Sequence, residues 1–265
     1  MDLGIKGKVA VITGGDSGIG RATSLLLAAE GVKIALIDKT SDELKQTADE
    51  VSKVGEVISA QADLTKLAEV ETAKNTVLEH YGQVDILVNA AGITGPTGDF
   101  LELTDDDWFR TIDTDLMSAV RVCRAFIPSM RKSGWGRIVL VSSEDALQPY
   151  KEELPYCASK AGVLNLAKGL SKAYGKDGVL INSVSPAFIA TPMTDAMMKQ
   201  QADQKGISFE EAIAQFLKNN RPHLELNRRG KAQEVAAVIT FLCSQQASFV
   251  LGSNYRVDGG SVASI

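Results

Sequence analysis

Val9-Ala10-Val11-Ile12-Thr13-Gly14-Gly15-Asp16-Ser17-Gly18-Ile19-Gly20-Arg21 is the stretch whose reading decides the fold. Val9 to Thr13 is a short apolar run, the composition of a strand buried on both faces of a parallel sheet. From Arg21 to Glu30 the apolar residues recur at helical spacing, and Gly31 marks the stop. Strand, glycine loop and helix follow one another without a spacer. Glycines placed this way let a backbone turn tightly and approach a pyrophosphate, while the helix N-terminus offers unpaired N–H groups and a partial positive charge. Three glycines would also make an ordinary turn, so the next strand has to decide. Lys33 to Ile37 is that strand, and it ends in Asp38, close to the spacing at which a carboxylate reaches the hydroxyls of an adenosine ribose. A carboxylate there repels a ribose phosphate and favours NAD over NADP. Lys39 is the counter-signal, but no Arg or Lys lies inside the glycine loop to support it.

Working outward, Ser41 to Val54 reads as a helix with Ser41 as its N-cap, and Val57 to Ala60 as a third strand. Asp63 either caps the helix expected from Lys66 to Tyr81 or points at an adenine from a strand's carboxyl end. Asp85 to Val88 is a fourth strand. Asn89-Ala90-Ala91-Gly92 then supplies small residues where backbone and ligand come close, and a tight turn accounts for the same residues. Thr104 to Lys132 carries a long helical pattern, with a cap at Thr104 backed by Asp107. Arg137 to Val141 and Val179 to Val184 are further strands, and Ala232 to Cys243 is a last amphipathic helix. This alternation predicts an α/β fold: a Rossmann-type doubly wound parallel sheet of about seven strands with helices on both faces. The expectation is a single domain over residues 1–265.

Residues 187–227 break the short-loop rhythm. Helical patches from Met193 to Gln204 and Ser208 to Asn219 carry Met193, Met197, Met198, Phe209, Ile213, Phe216 and Leu217 as apolar faces. Such an insertion is expected to be a helical lid over a substrate, or else packing onto the domain or a subunit contact.

Chemistry concentrates between Ser143 and Lys160. Tyr156-Cys157-Ala158-Ser159-Lys160 opens a helix, and residues four apart share a helix face, so the phenol and the ammonium project side by side. A neighbouring cation favours the phenolate, which makes a general acid/base near neutrality. Ser143 follows the strand run Ile138 to Val141, so its hydroxyl is expected at a strand's carboxyl end, where open α/β sheets bind ligands.

Composition narrows the rest. With 45% hydrophobic residues and a net charge of −5, the chain has no basic field for nucleic acid or an anionic membrane. Its three cysteines are scattered and its two histidines stand far apart, so neither a disulfide framework nor a metal site is expected. A cytoplasmic protein without a membrane span is the expectation.

Assembled, these motifs make the whole chain resemble the short-chain dehydrogenase/reductase family. The resemblance rests on Thr13 to Gly20, Asp63-Leu64-Thr65, Asn89 to Gly92, Ser143 with Tyr156 and Lys160, Asn182 to Pro186 with Ile189 and Thr191, and Tyr255 to Gly260. It implies NAD contacts from Gly14, Asp16, Ser17, Gly18, Ile19, Gly20, Asp38, Asp63, Leu64, Asn89, Ala90, Gly92, Tyr156, Lys160, Pro186, Ile189 and Thr191. It also implies that Tyr156 trades the proton of a substrate hydroxyl or carbonyl, Ser143 hydrogen-bonds the same oxygen, and Lys160 holds the nicotinamide ribose. The implied reaction is hydride transfer between NAD and a secondary alcohol or ketone, in a homotetramer, and the Met and Phe residues of the lid point to a substrate with an apolar portion. Two positions depart from the family: Asp115 stands where an asparagine usually helps hold a water toward the lysine, and Ala187 where a glycine commonly follows the proline. Asp115 is expected to serve a modified but working relay. The alternatives are an NADP-dependent ketone or 3-oxoacyl reductase and, from another class, a dinucleotide-sensing protein without turnover.

Overall fold

A computed structural model describes residues 1–264. The strands are β1 (Val9–Thr13), β2 (Lys33–Asp38), β3 (Val57–Gln61), β4 (Ile86–Asn89), β5 (Gly136–Val141), β6 (Val179–Pro186), β7 (Ile189–Ala190), β8 (Gly230–Lys231) and β9 (Asn254–Val257). Seven of them form one sheet in the order β3-β2-β1-β4-β5-β6-β9, and every pairing in it is parallel. The strand order reverses beside β1: the chain runs outward through β2 and β3, then returns to place β4 on the other side of β1. That reversal opens a crevice at the strands' carboxyl ends.

The helices are α1 (Gly18–Ala29), α2 (Ser41–Val51), α3 (Leu67–Tyr81), α4 (Asp105–Ile112), α5 (Ser118–Ser133), α6 (Leu154–Tyr174), α7 (Pro192–Lys205), α8 (Phe209–Asn220) and α9 (Ala232–Leu242). Successive residues of a strand face opposite sides, and the core obeys that period. Val9 and Val11 join a cluster with Val77 of α3, Phe126 of α5 and Val163 of α6. Ala10 and Ile12 join another with Leu27 of α1, Leu44 of α2 and Ile239 of α9. Helices therefore cover both faces, which is why the strands read as unbroken apolar runs rather than alternating ones.

The expected helix from Thr104 to Lys132 is helical along its length but not uniform. Thr104 caps α4 through a reciprocal box with Asp107, as its spacing predicts. Between α4 and α5 lies a π-helical turn, Asp113–Met117, that re-aims Asp115 inward. Asp63 is not the cap of α3, whose N-cap is Lys66; its Oδ1 instead accepts hydrogen bonds from the Thr65 amide at 3.0 Å and hydroxyl at 2.7 Å. The segment between β6 and α9 forms α7 and α8, with a small core of its own: Phe188, Met198, Phe216, Leu217 and Leu224. Both helices are closed at their N-termini by capping boxes, at Thr191 with Thr194 and at Ser208 with Glu211.

Candidate active site

The carboxyl ends of β1, β2, β4, β5 and β6 open onto one cleft of about 800 Å³. Gly14 turns the chain out of β1 at φ +65°, and a Cβ there would lie 2.7 Å from the Ala91 amide nitrogen, so only glycine fits where the two loops meet. Ser17 is the N-cap of α1, yet its side chain makes no capping bond to that helix. The first-turn N–H groups of α1 are thus left to a ligand, and a phosphate is the natural one.

Two carboxylates flank the cleft beyond the glycine loop. Asp38 Oδ1 accepts from the Lys39 amide at 2.6 Å and the Thr40 amide at 3.3 Å, and Asp16 lines the same wall. Burial, followed by repulsion from Asp16, pushes the Asp38 carboxyl up to about 6. Asp63 and Leu64 also line the cleft. The Thr65 hydroxyl, which donates to Asp63, holds that carboxyl below its usual range.

Asn89 is placed differently from its motif neighbours. Ala90 and Gly92 line the cleft, but Asn89 is buried beneath it, its Oδ1 accepting the Thr13 hydroxyl at 2.9 Å. It ties the tips of β1 and β4 together and acts on the cleft from behind.

Ser143, Tyr156 and Lys160 converge on the opposite end of the cleft. Ser143 lies two residues past β5 and is buried, its hydroxyl accepting the Asp145 amide at 3.2 Å. Tyr156 sits in the first turn of α6. The Lys160 ammonium lies 5.4 Å from the Tyr156 ring centroid and donates to the Val141 carbonyl at 3.4 Å. The helical spacing therefore brings both groups to one wall. The electrostatic expectation, however, is corrected. The phenol is half-buried, and desolvation pushes it well above its ordinary value; the Asp145 and Asp115 carboxylates push the same way, and the Ser143 hydroxyl opposes them.

Asp115 does not line the cleft but stands behind Gly92. It is fully buried; its Oδ1 accepts the Ile93 amide at 2.8 Å, and its Oδ2 has no partner. A Cβ on Gly92 would fall 3.1 Å from both Asp115 Oδ1 and Lys160 Nζ, so the missing side chain is what leaves room between them. No ion pair joins the two, and burial pushes the Asp115 carboxyl up against the opposing pull of Lys160.

Pro186, Ile189 and Thr191 form the remaining wall, reached through β6 and β7, and Thr191 meets the glycine loop where a Cβ on Gly18 would lie 3.3 Å from its methyl carbon. Ala187 lies beside them, and the only described non-glycine residue with positive φ is Asn227, so alanine costs nothing at that position. Of the apolar residues on α7 and α8, Met193 lines the cleft, while Met198, Phe216 and Leu217 are buried in the small core. Sequence reasoning missed Ile93, Thr94 and Gly95, which continue the Ala90–Gly92 loop along the cleft, and the pair Arg110 and Thr114 from α4 and its π turn. The four-residue spacing of that pair was the available signal.

A glycine loop at a helix N-terminus, carboxylates beside it and a serine, tyrosine and lysine at the far end define an oxidoreductase of the dinucleotide-binding α/β class. The family described as short chain dehydrogenase matches residues 8–202. An uncharacterized oxidoreductase of Bacillus subtilis, YvaG, is 33% identical over 268 residues, covering 100% of each chain. The D-beta-hydroxybutyrate dehydrogenase of Rhizobium meliloti is 33% identical over 263 residues, covering 97% of this chain and 99% of that one. The crystal structure of L-sorbose reductase from Gluconobacter frateurii, complexed with NADPH and L-sorbose, superposes with a TM-score of 0.95 at 33% identity and 100% coverage of both chains. This chain belongs to the short-chain dehydrogenase family, whose fold binds a nicotinamide dinucleotide.

Proposed function

We propose that this protein is an NAD-dependent oxidoreductase that moves a hydride between the nicotinamide and a secondary alcohol or ketone with an apolar portion. The observation that carries this reading is the single cleft that gathers the glycine loop and Asp38 at one end and Ser143, Tyr156 and Lys160 at the other. When bound, the dinucleotide supplies the hydride acceptor or donor. Its pyrophosphate would rest on the N-terminus of α1, its adenosine against Asp38, Asp63 and Leu64, and its nicotinamide end near Lys160, Pro186, Ile189 and Thr191. In the oxidative direction Tyr156 takes the hydroxyl proton as the carbon loses its hydride. In reduction Tyr156 gives that proton back to the forming alkoxide. Ser143 donates to the same oxygen and holds it at bonding distance from the phenol. A cation brought near the phenol lowers the cost of the phenolate, and Lys160 is the protein's own contribution.

Asp38 and Asp16 support NAD over NADP, because a 2′-phosphate would enter between two acidic side chains. The helices α7 and α8 would serve as a lid whose cleft-facing residue, Met193, favours an apolar group. A second reading, an NADP-dependent ketone reductase, is favoured by Lys39 lining the cleft and by the NADPH held in the L-sorbose reductase relative. Absorbance of reduced nicotinamide separates the two when followed with each dinucleotide over a panel of secondary alcohols and ketones. Turnover with NAD exceeding that with NADP is expected. Faster turnover with NADP would hand the case to the second reading, and dinucleotide binding without any turnover would refute both.

A further inference from the structure

Behind Ser143 and Tyr156 lies a buried group of charges that the hydride chemistry does not itself require. Arg221, at the C-terminal end of α8, is 8% exposed. Its Nη2 lies 3.9 Å from Asp145 Oδ1 and 3.7 Å from Glu153 Oε1. Its Nε stands 3.0 Å from Glu144 Oε1, a close ion pair that lies off the N–H axis and leaves the nitrogen without an aligned hydrogen bond. The guanidinium carbon sits 3.6 Å from the Tyr150 ring centroid and 5.0 Å from that of Phe216. From the C-terminal side, Asp258 adds negative charge facing Glu144, and Ser261 offers it a hydroxyl.

One guanidinium against three carboxylates is a poor way to gain stability, since each buried ion forfeits its hydration and the charges do not cancel. The placement suggests another use. The Asp145 amide donates to the Ser143 hydroxyl, the Asp145, Asp115 and Glu153 carboxylates all disfavour the Tyr156 phenolate, and the Lys160 ammonium lies 5.4 Å from the Tyr156 ring centroid. Arg221 is the cation set against two of those acids, Asp145 and Glu153.

We propose that Arg221 is a positioning residue for the reaction: it holds the Glu144–Asp145 turn behind Ser143 and offsets the carboxylates around Tyr156, so that the phenol can give up its proton within the working pH range. The proposal rests on the reading of Tyr156 as the proton-transfer group. Its electrostatics follow from the positions. Burial and then Glu153 push Asp145 up to about 8, with Arg221 pulling against them, and an ionised Asp145 in turn disfavours the phenolate. Because Arg221 arrives on the end of α8, the segment that covers the cleft also completes the charge balance beneath it. Packing of α8 and readiness of the phenol are one event.

The test is a spectroscopic titration of Tyr156 in the NAD-loaded protein, read as phenolate absorbance after subtraction of the Tyr156→Phe protein. Arg221→Gln is expected to raise the midpoint by about one pH unit, a tenfold loss of phenolate at fixed pH. Asp145→Asn is expected to lower it by a similar amount, and Arg221→Lys to stay within about 0.3 units of the parent because the charge is kept. Should Arg221→Gln fail to fold, the Asp145→Asn and Arg221→Lys midpoints still decide. An unmoved midpoint in Asp145→Asn, or one moved equally by Arg221→Lys and Arg221→Gln, overturns the proposal and leaves Arg221 a packing residue. Undiminished hydride transfer by Tyr156→Phe would instead strike the underlying reading of Tyr156, while the titration would still report on Arg221.

Discussion

The unit from β1 through α1 to β2 and the excursion that holds α7 and α8 are both walls of the same cleft, yet they are built by different means. In the first, position is fixed by backbone: two parallel ladders, a loop with room only for hydrogen at Gly14, and an uncapped helix end. In the second, position is fixed by side-chain packing, a core of Phe188, Met198, Phe216, Leu217 and Leu224 separate from the two that flank the sheet. A backbone-built wall tolerates few substitutions, and a packed wall can be rebuilt one side chain at a time. Changes in the first region, and in the proposed proton-transfer group, should therefore alter chemistry or cofactor choice. Changes in the second should alter substrate affinity and local stability.

The sharpest test comes from the chemistry. Tyr156→Phe removes the proposed proton acceptor and should lower kcat by about a thousandfold with dinucleotide affinity nearly unchanged, measured by steady-state rates alongside a binding titration. In the packed wall, Met198→Ala opens a void in the small core. It should cost about 3 kcal/mol locally, seen as lost hydrogen-exchange protection in α7 and α8 while the sheet stays protected, and KM should rise far more than kcat falls. A uniform loss of protection across the sheet would break the distinction between the two regions.

Asp38→Ser should raise the use of NADP relative to NAD by about tenfold, or about 1.4 kcal/mol, in the ratio of the two kcat/KM values. The same ratio gives a pH test. Asp38 is pushed up to about 6, so it is a carboxylate that repels a ribose phosphate above that pH and a neutral acid below it. Preference for NAD should thus weaken as pH falls through about 6, and in Asp38→Ser it should lose that dependence. The smallest effect belongs to Asp115→Asn, which keeps an acceptor for the Ile93 amide and should leave kcat within about threefold. Abolished activity would show that the carboxylate itself is required.

What the sequence disclosed follows the same division. Strands buried on both faces announce themselves as apolar runs, and the glycine loop, Asp38 and the four-residue spacing of Tyr156 and Lys160 are local patterns. These were legible because neighbours in sequence are neighbours in space. Asn89 was legible as part of a motif but not as a tie between strands, since its partner Thr13 is 76 residues away. The π turn at Asp113–Met117 left no mark in the helical period. The Arg221 group was invisible for the same reason as the Asn89 tie: the turn at Glu144 and the end of α8 are joined only by the fold. Nor does spacing reveal that burial pushes the phenol up, because desolvation depends on everything packed around a group.

The short pair β7 and β8, Ile189 with Gly230 and Ala190 with Lys231, clasps the two ends of the α7–α8 excursion side by side. The segment between them is tied to the body of the protein by this two-residue pairing and by the contacts of Arg221 with the Glu144–Asp145 turn. An engineer could exchange that excursion for one of another length and composition, keeping the pairing and restoring a cation for the acids near Ser143, without disturbing the strand ladders. New substrate ranges would then be reached by grafting rather than by redesign.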